Sequence, residues 1–258
     1  MTDIMKNAGS SKKYNLAIEL FGRLWAFWGL ITFAITFIII FPVTMTSYLI
    51  KGNKGQYWFI LVSRFWMNIW LFMVGCPITV RGRKNFAKGK AYVIVCNHTS
   101  LIDPSATCPF IPGANKTIAK MSFAKVPIFG WFYRRGSVLV DRMDTKSRLK
   151  SFEEMKKVIE QNMHMLIYPE GTRNTTGEPL KAFYDGAFSL AVRTKSDIIP
   201  SVLTNTGKAL PADKPFFFLP HFITLEFLPP VSSEGKDAKT LKEEVYNIMY
   251  KHIESKKG

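Results

Sequence analysis

Residues Ala91 to Ser105 read AYVIVCNHTSLIDPS. The apolar run AYVIVC, bounded by turn residues, is a strand signature. The polar NHTS that follows ends it, and Asp103 before Pro104 reads as a helix N-cap and first helical position. His98 and Asp103 are five positions apart, which on an unbroken helix would set them about 140° apart around the axis. They meet only where the chain turns between them. Strand end, turn and capped helix start together bring an imidazole and a carboxylate to the C-terminal edge of a sheet, where ligand crevices form in open α/β folds. A carboxylate holding one ring N–H fixes the tautomer and leaves the other nitrogen as a general base. Spacing alone is equally compatible with a His and a capping Asp that do not touch, because a His-x4-Asp pattern carries little information.

Outward from this stretch, SVLVD (Ser137–Asp141), HMLIY (His164–Tyr168), IIPSVL (Ile198–Leu203) and FITLEFL (Phe222–Leu228) read as further strands. Lys146–Asn162 places Leu149, Phe152, Met155, Val158 and Ile159 on one helical face. Lys236–Lys256 does the same with Leu241, Val245, Ile248 and Met249. Strands alternating with helices predict an α/β fold, a sheet flanked by helices. Two more motifs sit at strand ends. YPEGTRN, Tyr168 to Asn174, has Pro169 to stop the strand and Gly171 to let backbone approach a ligand, while Thr172 and Arg173 can bond an oxyanion. Glu170 beside Arg173 also reads as a surface turn with an ion pair, the commoner meaning of such a tetrapeptide. GSVLVDR ends in Asp141 and Arg142, and Arg142 is either a phosphate ligand or an exposed strand-end charge. Cys76, Cys96 and Cys108 are scattered without a C-x-x-C pair, which fits neither a disulfide framework nor a zinc site. The sequons at Asn97, Asn115 and Asn174 are short enough to arise by chance.

The N-terminal third differs. Leu24 to Ile50 carries no charge and is long enough for a bilayer core, with Trp25 and Trp28 at one end and Tyr48 at the other as interfacial anchors. Pro42 is expected to kink or end that helix. After KGNKGQ a second apolar stretch, Tyr57 to Val80, contains Arg64 and is therefore a poor span, better suited to the interface or to a re-entrant partner of the first helix. Basic residues lie in all three flanking regions: Lys6, Lys12, Lys13 and Arg23, then Lys51 and Lys54, then Arg81 to Lys90. That distribution predicts a two-helix hairpin dipping into one leaflet from the cytoplasmic side. Residues 1–82 are thus expected to form a membrane-anchoring hairpin and 83–258 an α/β domain. Thirty-five Lys and Arg against 19 Asp and Glu, a net charge of +16, call for an anionic partner. With 47% hydrophobic residues and no recognition-helix or aromatic-studded basic strand, that partner is a membrane surface rather than nucleic acid.

At these residues the sequence resembles the 1-acylglycerol-3-phosphate acyltransferases of the glycerolipid acyltransferase superfamily. NHTSLID, GSVLVDR, YPEGTR (Tyr168 replacing the usual Phe) and DIIPSVL match the family's four blocks in order, over about residues 90–205. KAFYDGAF, Lys181 to Phe188, resembles the region after the third block with its Lys-x-Gly pattern stretched. The resemblance implies a glycerolipid-acyltransferase-like mixed sheet. It implies that His98, oriented by Asp103, takes the proton from the 2-hydroxyl of lysophosphatidic acid, which attacks the thioester of acyl-carrier protein or acyl-CoA. Glu170, Gly171, Thr172 and Arg173, with Arg142 and Lys120, are then expected to bind the acceptor's glycerol phosphate. No cofactor or metal is expected, and the place of action is the cytoplasmic face of the inner or plasma membrane. The competing readings are transfer to another lysolipid, such as a lyso-amino-acid lipid or lysophosphatidylglycerol, and a membrane lipid-binding protein without turnover.

Overall fold

The computed structural model describes residues 14–256, so Lys6, Lys12 and Lys13 lie outside the described residues. The chain opens with helices α1 (Leu16–Met45) and α2 (Gly52–Met73). It continues through β1 (Ile78–Arg81), β2 (Val93–Cys96), α3 (Asp103–Thr107), β3 (Asn115–Lys120), α4 (Phe129–Gly136), β4 (Ser137–Val140) and α5 (Thr145–Glu160). Then follow β5 (His164–Ile167), α6 (Gly186–Thr194), β6 (Ile198–Thr204), α7 (Thr206–Ala209), β7 (Ile223–Phe227) and α8 (Ala238–Glu254).

Every residue of β2 is buried, as expected of a strand covered on both faces. Ile94 and Cys96 enter one core with Trp66, Trp70 and Leu71 of α2. Val93 and Val95 enter a second core with Met155 and Val158 of α5, Leu190 of α6, and Leu241 and Val245 of α8. The seven strands run in the order β1-β7-β6-β2-β5-β3-β4. All neighbours are parallel except β6 and β7. The sheet is therefore mixed, and β6, β2, β5, β3 and β4 all end on one edge.

The strands expected at Ala91, Ser137, His164, Ile198 and Phe222 are all present. β1 lies inside the second apolar stretch, on the N-terminal side of the boundary expected after residue 82. β3 reads NKTIAK and buries Asn115, Thr117 and Ala119, so its inner face is polar or small and shows no hydrophobic alternation. Leu149 is exposed rather than packed; the buried face of α5 begins two residues later, at Ser151, and continues through Met155, Val158 and Ile159.

Neither apolar segment behaves quite as its composition suggests. α1 runs through Pro42 and ends at Met45. It is long and apolar enough to cross a membrane, the one such helix among the described residues. One face packs along the body of the protein. Gly22 makes that possible, since a Cβ there would sit 2.3 Å from the Phe217 ring. The opposite face leaves Leu24, Ile31, Ile35, Ile38 and Ile39 exposed. α2 is a core helix on its inner side: Phe59, Ile60, Trp66 and Leu71 are buried. Arg64 is not left in hydrocarbon, because its guanidinium donates to the carbonyls of Pro109 (2.6 Å) and Ile111 (2.8 Å). The indoles expected as anchors also have protein partners. Trp25 donates to Val74 O at 2.9 Å and Trp28 to Met73 O at 3.1 Å, satisfying carbonyls that α2 leaves open at its C-terminal end. Trp66 reaches back to Thr36 Oγ1 and Trp70 to Gly29 O, so the two helices are stitched in both directions.

Candidate active site

β2 delivers His98 just past the shared sheet edge, and the chain turns at Thr99–Ile102 into α3. The turn brings the pair together: His98 Nδ1 lies 2.7 Å from Asp103 Oδ2. The same oxygen accepts the backbone N–H of Thr99 (2.7 Å) and of Ser100 (2.8 Å). Asp103 is therefore not the N-cap of α3. It is the first helical residue, the cap position is Ile102, and the carboxylate folds back to close the preceding turn. The Asp103 side chain is fully buried while that of His98 is 19% exposed. A carboxylate facing Nδ1 assigns the proton to that nitrogen and leaves the lone pair on Nε2. Ser100 is buried and donates its hydroxyl to Leu210 O at 2.7 Å, which takes it out of contention as a nucleophile.

The YPEGTRN loop after β5 clamps this turn. Glu170, 1% exposed, accepts His98 N–H on Oε1 (2.7 Å) and Lys181 N–H on Oε2 (3.0 Å). Burial raises its pKa, and the two backbone bonds pull it partly back. Asn174 N–H donates to His98 O at 2.7 Å, gripping His98 from its other side. Glu170 thus holds two loops together, with a main-chain donor on each oxygen; it is not the surface ion pair its neighbour Arg173 suggested. Gly171 has φ +71°, a backbone conformation that favours glycine, and a Cβ there would have to displace the exposed Tyr184 ring, 2.7 Å away. Lys181 Nζ donates to Thr172 Oγ1 at 2.7 Å.

The cations occupy the same edge. Lys120 ends β3, and its register partner Val140 ends β4 two residues before Arg142. Burial raises the Tyr133 pKa, and the Lys120 backbone and the Arg142 charge pull it partly back. Arg173, Arg142 and Lys120 are exposed and have no ion-pair partner among the described residues. No group of three or more His, Cys, Asp or Glu side chains suited to a metal occurs among the described residues.

Two contributors were not legible as such. Asn97, first residue of a sequon, is buried and spends its whole amide on β6, donating to Leu203 O (2.9 Å) and accepting Leu203 N–H (2.8 Å). A buried polar residue at a strand end was the available signal. Tyr168 stacks on the His98 imidazole, with ring centroids 4.5 Å apart and planes 29° apart. Such a contact is worth about 0.5–1.5 kcal/mol beyond burial, so losing it is expected to lower kcat about 2- to 12-fold if it orients the base. Tyr168→Leu should show that loss with both KM values near those of the native protein, and Tyr168→Phe, which keeps the ring, should restore the rate.

Comparison with known proteins bears on the family and the fold. Residues 77–204 match the family model described as Acyltransferase, which starts at the residue before β1 and ends with β6. A 1-acyl-sn-glycerol-3-phosphate acyltransferase from Cocos nucifera is 31% identical over 180 residues, 69% of this chain and 57% of the relative. That from Saccharomyces cerevisiae is 30% identical over 178 residues, 68% of this chain and 58% of the relative. The chain thus spans a little more than half the length of these curated relatives. The crystal structure of the 1-acyl-sn-glycerophosphate acyltransferase PlsC from Thermotoga maritima superposes with a TM-score of 0.77 at 21% identity, covering 93% of this chain and 96% of that one, a likeness of fold. Residues 77–204 of the chain thus form a domain of the acyltransferase family.

Proposed function

We propose that the protein transfers a fatty acyl chain from acyl-CoA or acyl-carrier protein to the 2-hydroxyl of 1-acylglycerol 3-phosphate, giving phosphatidic acid. The observation that carries the reading is the 2.7 Å contact between His98 and a fully buried Asp103, with the second ring nitrogen at an open sheet edge beside unpaired cations. His98 Nε2 takes the hydroxyl proton as the alkoxide attacks the thioester carbonyl; the C–S bond breaks, and the departing thiolate recovers a proton from the imidazolium. The acceptor phosphate is bound by Arg173, Arg142 and Lys120 with the Thr172 loop, while Asp103 and Glu170 hold the base in place. Charge-assisted bonds to a phosphate are worth about 1.5–3 kcal/mol each, so Arg173→Ala should raise the acceptor KM about 10- to 100-fold and leave the donor KM nearly unchanged. Equal changes in both would remove Arg173 from the phosphate site.

Membrane association is part of this reading. α1 lies along the body rather than projecting from it, and its outward face is a stripe of exposed apolar side chains. That arrangement favours a helix embedded in one leaflet, on the cytoplasmic face where the thioester donors are. The deciding experiment incubates purified protein with labelled acyl donor and a panel of lysolipids. Label is expected in phosphatidic acid; label in another lipid instead reassigns the acceptor, and no label in any lipid leaves only a lipid-binding protein.

A further inference from the structure

β3 ends at Lys120 on the edge of the site, and the chain then runs MSFAKVPI into α4. Within nine residues this segment presents Phe123 (42% exposed), Val126 (45%), Ile128 (54%) and Trp131 (63%) to solvent. It is not a frayed loop. Gly130 N–H donates to Val126 O at 2.7 Å, Trp131 N–H to Ile128 O at 3.1 Å, and Arg134 donates to the carbonyl of the buried Ala124 at 3.2 Å. Ile128 itself is held at φ +62°, ψ −56°, a backbone conformation that a β-branched residue rarely adopts. The fold accepts strain at the tip of a braced turn and leaves the strained residue's apolar side chain in the open. Strain of that kind concentrates where a surface has a use.

The surroundings indicate the use. Trp131 stacks on Phe41 of α1 (centroids 6.3 Å apart), and its carbonyl accepts the Tyr48 hydroxyl at 3.2 Å. Tyr48, Leu49 and Ile50, just past the end of α1, are exposed in turn. The patch therefore adjoins the exposed apolar end of α1, with the Arg135 guanidinium lying over the Tyr48 ring between them. Lys125 and Arg134 flank it as exposed cations. Aromatic and aliphatic side chains interleaved with basic ones suit a lipid headgroup region. A protein partner or a second copy covering this patch would also have to cover α1.

We propose that the Phe123–Trp131 segment is a second membrane contact, its apolar tip entering the same leaflet as α1 and its cations meeting anionic lipid phosphates. The proposal rests on the reading of α1 as a leaflet-embedded helix. It sets the edge carrying Lys120 and Arg142 against the bilayer, so that a lysolipid reaches the base by moving sideways out of the leaflet.

The test uses the full chain in vesicles of phosphatidylcholine and phosphatidylglycerol. Cys76 and Cys96 are buried, so with Cys108→Ser a nitroxide can be placed on Ile128→Cys, on Ile38→Cys in α1, or on the exposed Glu160→Cys as a control. Oxygen is expected to relax the labels at 128 and 38 more than a water-soluble nickel chelate does, with the opposite order at 160. Lipid exposure at 38 with water exposure at 128 overturns this proposal and leaves the α1 reading standing; water exposure at both overturns the two together. Spin–spin broadening at 128 in place of lipid exposure would mark a second copy as the occupant and also overturn it. Independently, Phe123→Asp with Ile128→Asp should lower transfer to long-chain lysophosphatidic acid in vesicles at least 10-fold and leave transfer to a water-soluble short-chain acceptor within 2-fold. Equal losses on both acceptors would count against the contact, and absence of transfer by the native protein on either would strike at the enzymatic reading instead.

Discussion

His98→Ala is expected to lower kcat for acyl transfer about 1,000-fold while leaving the protein folded and membrane-bound. A positioned base contributes about 10²- to 10⁴-fold, and His98 is the one imidazole at the sheet edge with a carboxylate on its far nitrogen. The substitution spares the local architecture because the bonds that fix this turn are main-chain bonds. His98 N–H still reaches Glu170, His98 O still accepts from Asn174, and Asp103 keeps the Thr99 and Ser100 N–H groups. Initial rates with labelled donor, read beside circular dichroism and vesicle co-sedimentation, separate the two effects. Turnover above about one tenth of the native rate, below the least a base supplies, would show that another group takes the proton.

Glu170→Ala should cost both activity and stability. The carboxylate, itself buried, satisfies two main-chain donors, and an N–H left without a partner inside the protein costs about 1–3 kcal/mol. About 2–6 kcal/mol of stability is therefore at stake, together with the register between the turn carrying the base and the loop carrying Arg173. Activity should fall at least 100-fold, because the loops that Glu170 joins carry both the base and Arg173. Glu170→Gln, which keeps one acceptor, should fall between the two. The carboxyl also leaves a trace in pH. Its folded pKa lies above the ordinary 4.5, with burial the main cause. Below 4.5 both folded and unfolded chains hold the proton; as pH rises through the interval up to the raised value, the unfolded chain releases it first. Stability from this group accordingly declines with rising pH across that interval and then levels off. Denaturant unfolding of the native protein and of Glu170→Gln over that range should differ by this slope; parallel curves would contradict the raised value.

The central strands were readable because an apolar run ending in turn residues leaves few alternatives. β2, β5 and β6 are nearly all buried and lie in mid-sheet. β3 was not readable, since its buried positions are Asn115, Thr117 and Ala119 and its stability comes from neighbours on both sides. β1 was hidden inside a longer apolar stretch whose earlier part, α2, is greasy for a different reason: it is sandwiched between α1 and the sheet. Arg64 looked like a charge stranded in a membrane segment because sequence does not show the two carbonyls it serves. In the site, residue identities were legible and their contacts were not. His98 and Asp103 could be named from their block, but their meeting depends on a turn closed by backbone N–H groups that carry no sequence signature. Glu170 next to Arg173 suggested mutual pairing, whereas three-dimensional closure gives the carboxylate to main-chain donors on either side.

The seating of Gly22 against Phe217, with Phe218 N–H donating to Gly22 O at 3.0 Å, joins parts of the chain nearly two hundred positions apart. During synthesis the first helix leaves the ribosome long before the segment that completes its berth has been made. For that whole period α2 can cover the middle of its inner side, but the stretch around Gly22 and the whole outward face stay bare, and lipid is a nonpolar environment able to shelter them. Delivery to the bilayer would then come before completion of the sheet, so the newborn protein would close its core while already moored.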